Sequence, residues 1–262
     1  MKLSDPSLDD KSTSPYIATK PLVYRCLALT GSFETGKSIP DCFSGLSGDF
    51  DGQGISFGVL QWNFGQKSLQ PLLREMRDQH PDIMKSVFQN QYDMLLKALD
   101  FSQSEIMQFA RRIQHPVKHV VYEPWQGMFV SLGRTSEFQD IETKYAHETF
   151  EKAIGLCREY ELRSERAAAL MFDIKVQNGS IAGETKRLIT VDFSALAESL
   201  PQDKLEVRKM HSVANRRADA AKPEWAEDVR ARKLCCANGG GVVHGIECDL
   251  ENQFGISLKP MG

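Results

Sequence analysis

The sequence has no run of about 18 apolar residues, so no helical membrane span is expected. Its opening stretch, MKLSDPSLDDKSTSPY, lacks the apolar core of a secretory signal. Residues 1–15 read instead as a polar, disordered tail. Basic excess is missing too. The chain has 32 Lys and Arg against 35 Asp and Glu, and a formal net charge of -3 leaves no electrostatic footprint for nucleic acid. The six cysteines, at 26, 42, 157, 235, 236 and 248, form no Cys-x-x-Cys pair. Structural zinc usually shows such regular pairs. A metal set from Cys235, Cys236, His244 and Cys248 is therefore not expected. Cys26 and Cys157 lie in apolar, helix-like surroundings and are expected as buried thiols. The glycine-rich stretch from Asn238 to Gly245 has no Lys-Ser/Thr pair, which excludes a phosphate loop and leaves a turn. No repeat and no long Pro/Gly/Ser linker divides the chain. No cofactor is implied, and no metal.

What is present is an ordinary globular composition: 262 residues, 41% hydrophobic and 26% charged. A chain of this length buries a sizeable core without cross-links. The periodicity is mainly helical. Helices are expected over residues 16–34, from Leu69 to beyond Met76, from Ile83 to Leu99, and from Ser102, where Glu105 completes a capping box. Others fit 139–160, 165–178, 202–220 and 223–234, with Gly36 and Gly179 as stops. Residues 42–62 turn from Gly and Asp to Ile55, Phe57, Val59 and Leu60, which suits a short hairpin. The expected fold class is mainly α (α+β), many helices with a small β-hairpin or sheet lining a cleft.

The stretch from Leu27 to Gly65 carries the chemistry. Glu34 ends an apolar helical run behind Phe33, where its carboxyl is expected to meet apolar surface and hold its proton near neutral pH. Asp49 and Asp51 follow in a glycine-rich turn. Cleaving a glycosidic bond needs one carboxylic acid to protonate the leaving oxygen and a second carboxylate across the sugar. A calcium loop is the competing reading of the turn, but positions 5 and 12 counted from Asp49 are Gln53 and Leu60, against the EF-hand pattern. Gln61, Trp62 and Asn63 have the amides and the ring face that suit a sugar. Asp173 and Gln177 share a helix face and Asn178 closes it, so all three are candidates for substrate binding. Asp173 lies among apolar residues, so it either faces a cleft or pairs with an arginine such as Arg166 or Arg216.

These residues resemble the lysozyme superfamily, in which a catalytic Glu at a helix end precedes a β-hairpin. Asp51-Gly52-Gln53-Gly54-Ile55-Ser56-Phe57-Gly58 is similar to the Asp-Gly-Arg-Gly-x-Thr-x-Gly stretch of family 46 chitosanases, with Gln for Arg and Ser for Thr. Gly58-Val59-Leu60-Gln61 is similar to the Gly-Leu-Met-Gln turn of lytic transglycosylases and goose-type lysozymes. Residues 169–179 are similar to a chitosanase helix ending in His-Gly, with Asn178 at the His. The overall style also resembles phage-type lysozymes and type VI secretion effector domains. The resemblance implies a lysozyme-like catalytic domain of two lobes over 16–262. It implies Glu34 as general acid, Asp51 as second carboxylate, Ser56 holding the attacking water, and inversion at the anomeric carbon; on the residues alone Asp49 is the alternative second carboxylate, or orients Asp51.

The expected substrate is peptidoglycan or a related amino-sugar polymer, cut as a muramidase, with a chitosanase or a lytic transglycosylase as alternatives. A Cys/His peptidase built on Cys42 or Cys248 with His244 has no supporting motif. A non-catalytic wall-binding module is the alternative of another class. The reading places synthesis in the cytoplasm without a signal peptide. Action would be in the periplasm or wall of a target cell, reached by a dedicated export system or as part of a longer protein. Secretion machinery and an immunity protein are the expected partners, and nucleic acid is not.

Overall fold

A computed structural model of the chain describes residues 15–196 and 200–262. The tail read over residues 1–15 falls, except for Pro15, outside the described residues. The described chain is mainly helical with two small antiparallel sheets. In order it runs α1 (Pro15–Thr19), α2 (Leu22–Thr35), β1 (Leu46–Ser47), β2 (Ser56–Phe57), β3 (Trp62–Asn63), α3 (Leu69–Gln79), α4 (Pro81–Phe88), α5 (Tyr92–Leu99), α6 (Gln103–Arg112) and α7 (Trp125–Gly133). Then come α8 (Ser136–Glu159), α9 (Glu165–Asn178), α10 (Gly183–Ser194), α11 (Gln202–Asp219), α12 (Pro223–Asn238), β4 (Gly240–Val243), β5 (Ile246–Asp249) and α13 (Leu250–Phe254). No described helix is long and apolar enough to cross a membrane.

Two expected helices are each broken in two. The one over 16–34 is α1 and α2, because Pro21 has no N–H to carry a helix through. The one from Ile83 to Leu99 is α4 and α5, separated by a single 3-10 turn and by Gln89 in the left-handed region at φ 44°. The Ser102–Glu105 capping box forms as read, each side chain accepting from the other's backbone N–H. Gly36 and Gly179 both take positive φ at helix ends.

The chain divides into two compact units. One comprises Leu27–Leu156 and Phe172–Ser180. In β1–β2–β3, Leu46, Phe57 and Trp62 stand opposite one another on one face, and Ser47, Ser56 and Asn63 on the other. The apolar row enters a core with Phe88, Phe109, Trp125, Phe129 and Phe138. Phe57 meets Phe129 edge-on at 5.2 Å and stacks on Phe138 at 5.3 Å. Each such fully buried side chain contributes about 1.5–3 kcal/mol.

The other unit comprises the described residues up to Cys26, Cys157–Met171, and Ile181–Gly262. Its interior contains ions. Arg25 grips Glu165 with two nitrogens, at 2.6 and 3.0 Å, both side chains being almost wholly buried. Glu206 accepts the N–H groups of Arg163 and Ser164 at the start of α9. Arg166 donates to the carbonyls of Cys236 and Ala237 at the C-terminal end of α12, where a cation suits the helix dipole. The glycine-rich stretch after Asn238 is a true hairpin, β4–β5, turned by His244 and Gly245, both at positive φ. His244 bonds Asp228. All six cysteines are buried, and the described residues hold no disulfide.

Candidate active site

Glu34 sits in the last turn of α2, behind the buried Phe33. Its side chain is exposed, which corrects the expectation that it meets apolar surface. From Tyr24 to Gly31 the helix is buried on every side, and its final turn emerges from the core. That turn touches the sheet region. A Cβ on Gly31 would lie 3.0 Å from Val59, and a Cβ on Gly45 would lie 3.5 Å from the Thr35 side chain. Glu34 lies between Gly31 and Thr35 in sequence, so the last turn of α2 carries it next to the β1–β3 region.

In that loop the two aspartates have different environments. The Asp49 side chain is nearly buried; Oδ1 accepts the Gly54 N–H at 2.8 Å and Oδ2 lies 3.7 Å from Arg111. The Asp49 N–H itself donates to Gln114 Oε1 at 2.8 Å. Asp49 therefore braces the loop from inside. Asp51 is exposed, and its Oδ1 accepts the Gln53 N–H two residues on, an Asx turn. Gly52 between them takes φ 81°. The carboxylate presented outward is Asp51.

Ser56 is half-buried on the polar row of the sheet. Of the three expected sugar-binding residues Gln61 stays exposed, whereas Trp62 and Asn63 are turned inward, and this is a correction. The Gln61 amide donates to Gly58 O at 2.8 Å and accepts the Ser47 hydroxyl at 2.8 Å. Trp62 is buried in the aromatic core. Asn63 is buried, and its Oδ1 accepts the Gln66 N–H at 2.8 Å. The alternating register explains the pair: Trp62 belongs to the core row, and Asn63 folds back to close the turn that follows. Asp173 is fully buried and receives the Thr30 hydroxyl at 3.5 Å. Of the arginines considered for it, Arg216 bonds Asp192 through two nitrogens, and Arg166 has the α12 carbonyls. Gln177 and Asn178 are half-buried at the end of α9, and Asn178 Oδ1 is a buried acceptor with no hydrogen-bond partner among the described residues.

Two features escaped the sequence. Phe50, between the two aspartates, is 71% exposed, and its ring lies 5.1 Å from that of His119. Exposed ring faces beside a carboxylate suit the apolar face of a pyranose. Phe50→Ala is expected to raise KM about 2–10-fold with little change in kcat, the size of one lost ring contact. Initial rates over a range of oligosaccharide concentrations read it directly.

The second is Glu142 on α8. It is 0% exposed, and its Oε1 accepts the Val59 N–H at 3.1 Å. Burial holds its carboxyl well above the ordinary value of 4.5, and the Val59 hydrogen bond opposes this only in part. Among the described residues no cation pairs with it. The Cys42 thiol is the titratable group that faces it, and burial pushes that thiol up to about 12, so it too is neutral. Above pH about 4.5 the unfolded chain releases the Glu142 proton while the folded chain keeps it. Stability is then expected to fall as pH rises, by up to about 1.4 kcal/mol per unit, until the native carboxyl itself ionises. Urea melts at pH 5 and pH 7 measure the slope, which Glu142→Gln should flatten.

The chain is similar to solved chitosanases. One, described as a chitosanase complex structure, shares 14% identity with a TM-score of 0.46, over 86% of this chain and 95% of that one. Native chitosanase from Bacillus subtilis MY002 gives 14% and 0.47, and the GH46 chitosanase GsCsn46A of Gynuella sunshinyii with chitotetraose gives 12% and 0.46. Each of these covers 84% of this chain and 87% of its own. No family model matches the sequence, and no curated protein matches it.

Proposed function

We propose that this chain is a glycoside hydrolase of β-1,4-linked amino-sugar polymers, with Glu34 as general acid and Asp51 as second carboxylate. One observation carries the reading: within one compact unit two exposed carboxylates flank the β1–β3 region, one on the helix end that touches Gly45 and Val59 and one on the glycine-rich loop between β1 and β2. Glu34 donates its proton to the glycosidic oxygen as the bond breaks. Asp51 takes a proton from the attacking water, with the Ser56 hydroxyl as a second holder of that water. The substrate is peptidoglycan rather than a polymer of free glucosamine. A polycationic chain would seek uncompensated acids beyond the catalytic pair, whereas Asp41 pairs with Arg134 and Asp49 lies against Arg111.

Mass spectrometry of digests of purified peptidoglycan and of chitosan tests this. Muropeptides with new reducing ends support hydrolysis. Anhydro ends would make the enzyme a transglycosylase, soluble glucosamine oligomers alone would move the substrate to chitosan, and no cleavage of either would remove the proposal. Asp51→Asn is expected to lose about 10²-fold or more in kcat. Asp49→Asn should lose much less, because the amide oxygen still accepts the Gly54 N–H. Equal losses, read as reducing ends released per minute, would overturn this division of labour.

A further inference from the structure

Glu142 has no part in the chemistry just described, yet it touches the turn on which that chemistry depends. The turn runs from Gly58 to Gln61, between β2 and β3. Three groups hold it. Gly58 N–H donates to Gly45 O at 2.8 Å, Gly58 O accepts the Gln61 side-chain amide at 2.8 Å, and Glu142 accepts the Val59 N–H at 3.1 Å. The first two come from the sheet region itself. Glu142 comes from a helix 83 residues away in sequence. The approach is so close that a Cβ on Gly58 would lie 1.9 Å from Glu142 Oε1.

The turn in turn meets the helix that carries Glu34. Val59, whose N–H Glu142 holds, packs its two methyl groups against Gly31. Gly31 and Glu34 are three residues apart on α2, one turn along the same side. A contact path therefore runs from the Glu142 carboxyl through the Val59 backbone and side chain to the last turn of α2. A buried group fixed at both ends transmits a shift rather than absorbing it, because interiors are close-packed.

We propose that Glu142 is a positioning residue: its carboxyl pins the Gly58–Val59 turn against α2 and so sets where Glu34 stands relative to the Asp51 loop. This rests on the hydrolase reading given above. The neutral acid suits the task. It accepts a backbone N–H as an amide would, and it brings no charge next to the candidate carboxylates. Glutamine should then replace it, while an apolar side chain of the same length should not.

The experiment compares wild type, Glu142→Gln and Glu142→Met on a soluble oligosaccharide, at a temperature where circular dichroism shows each folded. Glu142→Gln is expected to keep kcat within about 3-fold. Glu142→Met fills the same space without an acceptor, and is expected to lose on the order of 10²-fold in kcat, the effect of a misplacement near 1 Å, with KM nearly unchanged. A folded Glu142→Met enzyme with wild-type kcat overturns the proposal, as does a Glu142→Gln enzyme as impaired as Glu142→Met. Should the Met variant not fold, amide hydrogen exchange in the wild-type protein decides. Val59 N–H is expected to be protected like the core, and rapid exchange there overturns the proposal. A wild-type protein that cleaves no amino-sugar polymer removes the hydrolase reading instead, and the exchange measurement still reports on the Glu142 contact.

Discussion

Glu34→Gln is expected to leave the fold standing and to cut hydrolysis by about 10²–10⁴-fold, the usual contribution of a positioned general acid. Glutamine has the same length but no acidic proton. Glu34 is exposed at the end of α2 rather than buried, so the change costs no packing. A melt within about 1 °C of wild type, with reducing-end release near background, is the expected pair of results. Turbidity clearing at the wild-type rate would remove Glu34 from the mechanism. Exposure in the free protein makes sense for a group that must reach a glycosidic oxygen.

Gly58→Ala is expected to be strongly destabilising. The residue sits at φ 82°, where an L side chain costs about 1–2 kcal/mol. The added Cβ would also meet Glu142 Oε1 at 1.9 Å and the Trp62 ring at 3.1 Å. Overpacking of this sort costs about 1–3 kcal/mol more. A loss of about 3 kcal/mol should lower Tm by roughly 6–12 °C in a chain of this size. Relief has a predicted direction. Trimming the opposing side chain, in Gly58→Ala with Glu142→Ala, should recover part of the loss, since the two groups compete for one space. Thermal unfolding of the two single mutants and the double mutant checks both the size and the coupling; strict additivity would mean that the two residues do not meet.

What the sequence made legible was local. The Ser102–Glu105 box, the stops at Gly36 and Gly179 and the long helix over Glu165–Asn178 follow from residues within a few positions of one another. The breaks at Pro21 and Gln89 were harder. At Gln89 the apolar spacing continues straight through the point where the backbone changes hand. Long-range pairings were not legible at all. Nothing near Asp49 announces that Gln114 and Arg111 hold it, and nothing in the polar run around Glu142 announces a buried carboxyl. An acid inside Phe-Gln-Asp-Ile-Glu-Thr-Lys reads as a solvated helix face. Its partner is a turn arriving from 83 residues earlier. Trp62 and Asn63 show the same limit in the sheet. Their residue types suit a sugar, but the register turns one into the core and the other into a turn.

The six buried cysteines make this protein a clock for its own opening. Nucleophilic attack on a reagent needs the thiolate, and burial pushes Cys42 and Cys157 up to about 12 and Cys26 higher still. In the native state they are both out of reach and in the wrong ionic form. An alkylating reagent at neutral pH therefore reads the opening of each region rather than surface chemistry. Cys42 lies beside the Glu142 contact, while Cys26 and Cys157 lie together in the other unit. The order in which the three acquire label ranks the two units by how often each comes apart, with no mutation and no substrate required.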